Sequence, residues 1–370
     1  MSLGGLASGI GGVVGLFLIL VPLVLLHELG HFIMARLARI RVLEFGLGFP
    51  PRARILGHDH ETEYTLNYLP IGGFVRLEGE ETDSDDPRAF TNSPLPKQVI
   101  VLVAGVAMNL LVAIFLFFVV AWAFNPVIQT TISGVQADSP AAAAGLQAGD
   151  SIVSIDGRTY RKPSVLEFSN ADFTDSWRQD LLSHAGQTVH IVVADANGKE
   201  RTVVATLRVP TAEKAGALGV SMGGSYVTTP GDPLSAAGLA VSGTGRAMNL
   251  ILGAVGDIGK QLATNPSQAP PGVQGPVGIA ADIASVVSQP NAFMILLLLA
   301  GIISANLALV NVLPLPVLDG GKVVIMVLKR VVGAKGVSAF EAFTYVASFA
   351  LLLAFMGWIT FFDILRVSGQ

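Results

Sequence analysis

The chain has 370 residues, of which 51% are hydrophobic and only 14% are charged. Soluble domains carry about 25% charged residues, so this composition indicates a membrane protein. The formal net charge is -4 and the chain has no basic tail. Its charge therefore gives no indication of nucleic-acid binding. Because the chain contains no cysteine, disulfides are excluded and any bound metal must be held by His, Asp or Glu.

Four uncharged stretches are long enough to cross a bilayer, which takes roughly 20 helical residues. They run over residues 1–26, 99–124, 283–318 and 342–362. The first lacks the basic start of a cleaved signal peptide and leads directly into His27 and Glu28, so we expect it to stay in the mature protein. The predicted fold class is therefore a polytopic α-helical membrane protein with four transmembrane helices.

The segment between the first two spans is rich in basic residues. Residues 36–97 hold eight of the 23 basic residues and residues 1–35 hold none, so the positive-inside rule predicts a cytoplasmic loop. Alternating runs bounded by Gly and Pro predict short strands at 42–49, 63–68 and 73–77. We therefore expect a β-hairpin element that lies close to the membrane.

A soluble α/β module begins near Ile128, where the composition changes. Alternating runs at 189–194 and 202–207 flank the turn Asn197-Gly198, which predicts a hairpin. Residues 234–262 are mostly apolar but carry charged side chains, which allows a fifth span or an interfacial amphipathic helix. The predicted domains are an N-terminal membrane half (1–127), an inserted α/β domain (128–210), a linker with the amphipathic helix (211–282) and a C-terminal membrane half (283–370).

The strongest chemical signal is His27-Glu28-Leu29-Gly30-His31 at the inner end of the first span. The i, i+4 spacing places both imidazoles on one helical face, with Glu28 beside them to contact a metal-bound water. Catalytic zinc takes three protein ligands and a water whose pKa falls to about 7, and Glu28 would pass the proton of that water to the leaving amine. A chance match is disfavoured because such residues are costly at membrane depth.

The third zinc ligand is predicted at Asp319, at the end of the third span. It follows 36 uncharged residues in the run Asn311-Val312-Leu313-Pro314-Leu315-Pro316-Val317-Leu318-Asp319-Gly320-Gly321. Prolines at membrane depth need protein or water partners for the freed backbone groups, as in an active site. The alternative is an ordinary helix end with an aspartate in the headgroup region.

Together these motifs resemble the site-2 protease family of zinc intramembrane proteases, of the bacterial regulator-of-sigma-E protease type. The likeness spans nearly the whole chain and includes residues 70–75 and Gly275-Pro276-Val277-Gly278-Ile279. It implies that His27, His31 and Asp319 bind Zn2+ and that Glu28 is the catalytic base. It also implies that Asn311 and Pro314 shape the substrate site.

The resemblance further implies that strand 73–77 is an exposed sheet edge. An unwound substrate could pair with Gly73, Phe74 and Val75, which would satisfy its freed amide groups where water is scarce. The alternative is a strand that only braces the cytoplasmic loop.

The inserted domain contains a pattern similar to the PDZ domains of bacterial proteases. The pattern is Ala137-Asp138-Ser139-Pro140-Ala141 followed by Ala144-Gly145-Leu146-Gln147-Ala148-Gly149-Asp150-Ser151-Ile152-Val153-Ser154-Ile155-Asp156-Gly157. PDZ modules add a peptide strand to a sheet edge, so a peptide or substrate ectodomain is the implied partner, and a plain spacer domain is the alternative. Only one such domain fits, where some relatives carry two, and residues 161–176 look inserted.

Two other polar groups receive structural interpretations. Asn109 in the second span is expected to bond between helices. The triplet His58-Asp59-His60 suggests a metal site, but its charged surroundings favour a solvated hairpin tip.

The zinc site restricts the topology, because ligands of one ion must share one depth. His27 and His31 end the first span at the cytoplasmic side and the second span returns outward, so the third must run inward to bring Asp319 to them. Residues 234–262 therefore cannot cross. We expect a multi-pass protein of the bacterial inner membrane, with both termini and the PDZ domain extracytoplasmic and the active site near the cytoplasmic side.

The predicted function is zinc-dependent hydrolysis of peptide bonds in or near the transmembrane segment of single-span membrane proteins. Anti-sigma factors or remnant signal peptides are the substrates that the resemblance implies, and their helices must unwind before attack. A scaffold with a structural zinc is disfavoured, because such a site needs no base like Glu28. A zinc or proton transporter is a further alternative, since intramembrane His and Asp also mark ion pathways. Metal flux that survives Glu28→Gln would indicate the transporter.

Overall fold

The computed structural model describes residues 3–59, 61–80, 82, 84–159, 164–168, 173–195, 198–211, 216–265 and 273–369. The helices are α1 (Leu3–Leu37), α2 (Leu95–Val119), α3 (Pro140–Ala143), α4 (Phe173–Ser183), α5 (Pro233–Thr264), α6 (Pro276–Val286), α7 (Ala292–Val312), α8 (Asp319–Val332) and α9 (Ala334–Ser368). The strands are β1 (Val42–His58), β2 (Glu63–Leu77), β3 (Val127–Val135), β4 (Ser151–Ile155), β5 (Arg158–Thr159), β6 (Thr188–Ala194), β7 (Glu200–Thr206) and β8 (Val220–Val227). The chain divides into two compact units, one of Met1–Phe118 with Gly243–Gln370 and one of Val119–Ser242.

Within the described residues, four helical segments are long and apolar enough to cross a membrane. They are Gly9–Leu37, Leu95–Phe124, Ala292–Val312 and Glu341–Ser368, which agree with the four predicted spans. α5 is not among them, because its 32 residues include Arg246, Asp257 and Lys260. α6 is apolar but has only 11 residues, too few to cross a bilayer as a helix.

β1 and β2 are long, bent strands that form one sheet in the first unit. Their antiparallel register places Phe45 opposite Val75 and, further along, His58 opposite Glu63. Residues 44–47 also lie opposite residues 63–66, so this part of β1 has a segment of β2 on each side. The end of β1, residues 52–58, forms the outer segment. Segment 73–77 of β2 is left at one edge of the sheet, where the resemblance places it.

A buried carboxylate holds the segments of this sheet together. Glu44 is 5% exposed and forms ion pairs with Arg52 at 3.1 Å and Arg76 at 3.0 Å. The hydroxyl of Thr65 donates a third bond to it at 2.7 Å. Arg76 and Thr65 lie in the two segments beside Glu44, and Arg52 lies in the segment beyond Thr65. These charge-assisted bonds favour this register over shifted ones. The sheet is thereby kept rigid beside α1.

The motif Gly275-Pro276-Val277-Gly278-Ile279 lies at the start of α6, which packs against the membrane helices α1 and α9. Asp363 on α9 is buried, and its Oδ2 accepts the backbone N–H groups of Gly275 at 2.9 Å and Gly278 at 2.8 Å. The carboxylate thus caps the helix N-terminus, where the backbone donors have no helical partner. On α1, a Cβ atom at Gly12 would collide with the carbonyl oxygen of Ala280. The glycines therefore serve close packing.

The second unit is built on an antiparallel sheet with strand order β7-β6-β4-β3-β8, and β5 pairs with β4. Its core includes Ile132, Ile155, Ile191 and, from α4, Trp177 and Leu181. β6 and β7 form the predicted hairpin, although Asn197 of its turn lies outside the described residues. The sheet continues past residue 210, the expected end of the domain, because β8 pairs with β3. Its Gly-rich sequence lacks the alternation that marks a strand.

Candidate metal centre

Three side chains from distant parts of the chain meet at one point. The Nε2 atoms of His27 and His31 lie 3.0 Å apart, and they lie 3.0 Å and 3.2 Å from Oδ2 of Asp319. All three residues are buried, with exposed fractions of 7%, 8% and 9%. Helical spacing on α1 puts both imidazoles on one face, and the first residue of α8 brings the carboxylate to them.

Close contact between α1 and α2 forms one wall of this centre. A Cβ atom at Gly30 would collide with the carbonyl oxygen of Ala104, and one at Gly105 would collide with the imidazole of His31. Both positions therefore require glycine, because any side chain would push the helices apart.

α2 also contacts the far nitrogen of each imidazole. Nδ1 of His31 lies 2.8 Å from the carbonyl oxygen of Val101. Nδ1 of His27 lies 3.2 Å from the side-chain amide of Asn109. These contacts orient the two rings so that Nε2 faces Asp319.

The loop between α7 and α8 presents the carboxylate. α7 ends at Val312, and the two prolines that follow cannot donate backbone hydrogen bonds. A Cβ atom at Gly320 would collide with the carbonyl oxygen of Val312, and one at Gly321 with that of Leu315. Only glycine allows the first turn of α8 to pack against this loop, and that packing points Asp319 at the imidazoles.

The donor atoms fit a zinc ion. Tetrahedral bonds of about 2.0–2.1 Å to nitrogen and oxygen place ligand atoms about 3.3 Å apart, close to the observed 3.0–3.2 Å. Oδ2 of Asp319 is buried and has no hydrogen-bond partner of acceptable geometry among the described residues, as expected of a metal ligand. Two imidazoles and one carboxylate leave the fourth tetrahedral position for water or substrate.

Glu28 lies beside these donors and contacts the sheet edge. The candidate ligand atoms of Glu28, His27 and His31 all lie within 4.8 Å of one another. Oε2 of Glu28 accepts a hydrogen bond of 3.2 Å from the backbone N–H of Val75. A direct bond therefore connects the carboxylate with segment 73–77.

A cavity of about 290 Å³ adjoins the centre and includes Glu28, Asn311 and Lys322 in its lining. Lys322 lies one turn after Asp319 on α8 and donates to Oε1 of Glu80 at 2.9 Å. Burial opposes the charge of this lysine, but the carboxylates of Glu80, Asp319 and Glu28 together outweigh that effect and raise the pKa of Lys322. The cavity therefore carries a stable positive charge in its wall.

The residues predicted to contact substrate lie in different places. Asn311 lines the cavity, whereas Pro314 is exposed and is not part of the lining. Gly73 and Phe74 lie in the sheet edge, where a Cβ atom at Gly73 would come 2.7 Å from the carbonyl oxygen of Gly46. Of the strand residues, Val75 has a hydrogen bond to Glu28.

The charged triplet lies at the tip of the sheet. The carboxylate of Asp59 accepts the backbone N–H of Thr62 at 2.9 Å and pairs with Arg36 at 2.8 Å. The Thr62 bond is the main cause that lowers the pKa of Asp59 to about 2. This local turn supports the hairpin-tip interpretation, although His60 lies outside the described residues.

Several neighbours of the centre were missed by sequence analysis. It did not assign Val101, Gly105 or Lys322 to the site, and it gave Asn109 only an interhelical bond. A backbone carbonyl such as that of Val101 has no sequence signal. An amide in an otherwise apolar span is a signal, and Asn109 is the one residue that it could have identified.

Known proteins resemble the chain along most of its length. The sequence model of peptidase family M50 matches residues 15–355. A protein of Clostridium acetobutylicum is 31% identical over 344 residues, covering 92% of this chain and 94% of that protein. A protein of Synechocystis sp. is 32% identical over 349 residues, covering 91% and 90%, and one of Brucella suis is 29% identical over 379 residues, covering 96% and 95%. Each is named "Putative zinc metalloprotease".

The family match includes α1 from residue 15 onward, the loop after α7 and Asp319, so it contains every donor of the centre. It also includes at least part of each of the four apolar helices. The chain therefore belongs to peptidase family M50, the site-2 protease family, and is a zinc metalloprotease and an integral membrane protein.

Proposed function

We propose that this protein hydrolyses peptide bonds in or near the transmembrane segment of single-span membrane proteins. The observation that carries the proposal is the convergence of His27, His31 and Asp319 beside Glu28, with both histidines inside the apolar helix Gly9–Leu37. Anti-sigma factors and remnant signal peptides are the substrates that the likeness to regulator-of-sigma-E proteases implies.

The roles follow from the chemistry of each side chain. His27, His31 and Asp319 hold Zn2+, which when bound lowers the pKa of a water to about 7 and polarises the scissile carbonyl. Glu28 takes the proton of the attacking water on a carboxylate oxygen and delivers it to the leaving amine nitrogen. In the protein without substrate, Oε2 of Glu28 accepts the N–H of Val75.

The cavity beside the centre is proposed to receive an extended substrate. The cavity encloses about 290 Å³ and is open on one side. The peptide groups of a helix are engaged in its own hydrogen bonds, so a substrate helix is proposed to unwind at the scissile bond, and helix-weakening residues should promote cleavage.

The test of this function compares membrane proteomes of cells that carry the native chain or Glu28→Gln. We expect new chain ends within or beside transmembrane segments of single-span proteins only with the native chain. Cleavage sites found only in soluble regions far from the membrane would contradict the proposal. Metal flux into vesicles, equal for both variants, would support a transporter instead.

Segment 73–77 is proposed to receive the unwound substrate as an added strand. It is a sheet edge, and its position beside Glu28 would bring an extended backbone to the site. The N–H of Val75 would then donate a hydrogen bond to Glu28 before the substrate binds and to the substrate backbone afterwards.

Val75→Pro is expected to reduce cleavage strongly, because proline removes this donor. If substrate pairing is lost, KM rises, and if only Glu28 is misplaced, kcat falls at unchanged KM. Val75→Ala is the matched control, since it keeps the N–H and should change both constants little. Cleavage by the proline variant at the native rate, with zinc retained, would exclude strand addition.

The second unit is proposed to be a single PDZ domain that binds a peptide or substrate ectodomain. Among the described strands β8 pairs only with β3, so its other side can accept a peptide strand. The buried Asp150 accepts the backbone N–H of Gln147 at 2.8 Å and pairs with Arg201, which explains the aspartate of the sequence pattern. With β8 included, this domain extends past residue 210 along the chain.

The proposed location is the bacterial inner membrane, with the PDZ domain and both termini outside. Cysteines placed at Ser84 and Gly333 should react with an impermeant reagent only from the cytoplasm, and cysteines at Gly198 and Gly369 only from outside. The native chain contains no cysteine that would interfere. Labelling of Ser84→Cys and Gly333→Cys from opposite sides would contradict a shared metal depth.

A further inference from the structure

Each imidazole of the centre needs a hydrogen-bond acceptor at Nδ1. A neutral imidazole carries one proton, and it can bind a metal through Nε2 only when that proton is on Nδ1. Nε2 of both His27 and His31 faces Oδ2 of Asp319. Both Nδ1 atoms must therefore donate in the zinc-loaded protein, a step that rests on the ligand roles proposed above.

The acceptor for His31 is a backbone group. Its Nδ1 lies 2.8 Å from the carbonyl oxygen of Val101. A carbonyl oxygen can only accept, so this contact selects the tautomer of His31 that leaves Nε2 free for a metal.

The group that faces His27 is an amide, which can donate or accept. Asn109 is completely buried, and its amide lies 3.2 Å from Nδ1 of His27. Oxygen and nitrogen of an amide are distinguished only by their hydrogen bonds, and a 180° turn exchanges them. With nitrogen towards the ring, the imidazole proton would sit on Nε2 and block the metal. With oxygen towards the ring, His27 has the metal-binding tautomer.

Oδ1 of Asn109 has no partner within the described part of the chain when the amide nitrogen faces the ring. Turning the amide gives this oxygen the Nδ1–H of His27 and leaves the amide nitrogen in its former place. The number of unpaired atoms is then unchanged, so metal binding decides the orientation.

We propose that Asn109 is a positioning residue whose Oδ1 accepts the Nδ1–H of His27 and holds that ring in the tautomer that binds zinc through Nε2. The hydroxyl of Ser304 on α7 donates to the backbone oxygen of Asn109 at 2.7 Å. This bond joins α7 to the backbone of Asn109 and does not involve the side-chain amide.

The test measures zinc affinity of the full-length chain by competition with a chelator. Asn109→Leu has a similar volume without an acceptor and should bind zinc about 10–100-fold more weakly. Asn109→Asp accepts but cannot donate when ionised, so it should bind zinc at least as tightly as the native chain. Nitrogen NMR of labelled histidines should show the proton of His27 on Nδ1 in the native and Asp variants.

Ser304→Ala is the matched control, because it removes a bond to the backbone of Asn109 and leaves the amide. It should lower thermal stability without changing zinc affinity. Equal affinity of Asn109→Leu and the native chain would overturn the proposal. If the Leu variant does not fold, weaker binding by Asn109→Asp alone would overturn it. If the proposed zinc ligands are wrong, His27→Ala will have the same zinc affinity as the native chain. That result is distinct from failure of the Asn109 proposal.

Discussion

Glu28→Gln is expected to abolish measurable cleavage while the protein keeps one zinc ion. Glutamine has the same shape as glutamate and can still accept the N–H of Val75, which lies 3.2 Å from Oε2. It cannot take a proton from the attacking water, and general base catalysis contributes typically about 10²–10⁴-fold to the rate. Cleavage of a reconstituted single-span substrate and zinc content by elemental analysis are the two measurements.

Glu28→Asp is the matched control, because it keeps the negative charge on a shorter side chain. It keeps the carboxylate but withdraws it by one methylene, and a displacement of about 1 Å can cost about 10²-fold in rate. We expect intermediate activity with full zinc content. Loss of zinc from Glu28→Gln, or native activity of that variant, would contradict the role of Glu28 as a base that is not a ligand.

Asp319→Ala is expected to lose zinc and activity together. The carboxylate lies 3.0 Å and 3.2 Å from the two imidazoles, and Oδ2 has no other suitable partner within the described residues. Protein zinc sites bind with about 10–16 kcal/mol, so losing one donor of three or four should weaken binding at least about 100-fold. Chelator competition on the purified chain measures this change.

Asp363→Asn is the control for removing a buried acid from the same unit. Asp363 accepts two backbone N–H groups of α6, and asparagine can still accept both. We therefore expect native zinc affinity from Asp363→Asn. If Asp319→Ala retains native zinc affinity, the third ligand has been assigned to the wrong residue.

Local spacing and composition were sufficient to predict the four apolar helices and the three side chains that meet at the centre. Four uncharged stretches correspond to four apolar helices, because a bilayer demands length and apolarity that any sequence displays directly. The i, i+4 spacing of His27 and His31 determines their common face within one helix. Asp319 could be identified because a single acid after a long uncharged stretch is conspicuous.

The limits of the second unit were harder to predict. β8 joins the sheet through pairing with β3, about 90 residues earlier in the chain. Its segment has no alternating pattern, so only the partner strand reveals it. The boundary at residue 210 was drawn from pattern alone and therefore excluded this strand.

The sequence by itself determined the fold class, the helix that carries two donors and the acid that meets them. Only the tertiary structure decided which groups surround these donors: the carbonyl of Val101, the amide of Asn109 and the N–H of Val75. The physical reason is separation along the chain, since His31 and Val101 are 70 residues apart and His27 and Asn109 are 82 apart. Backbone groups are present at every residue, so their roles depend on packing that no local pattern encodes.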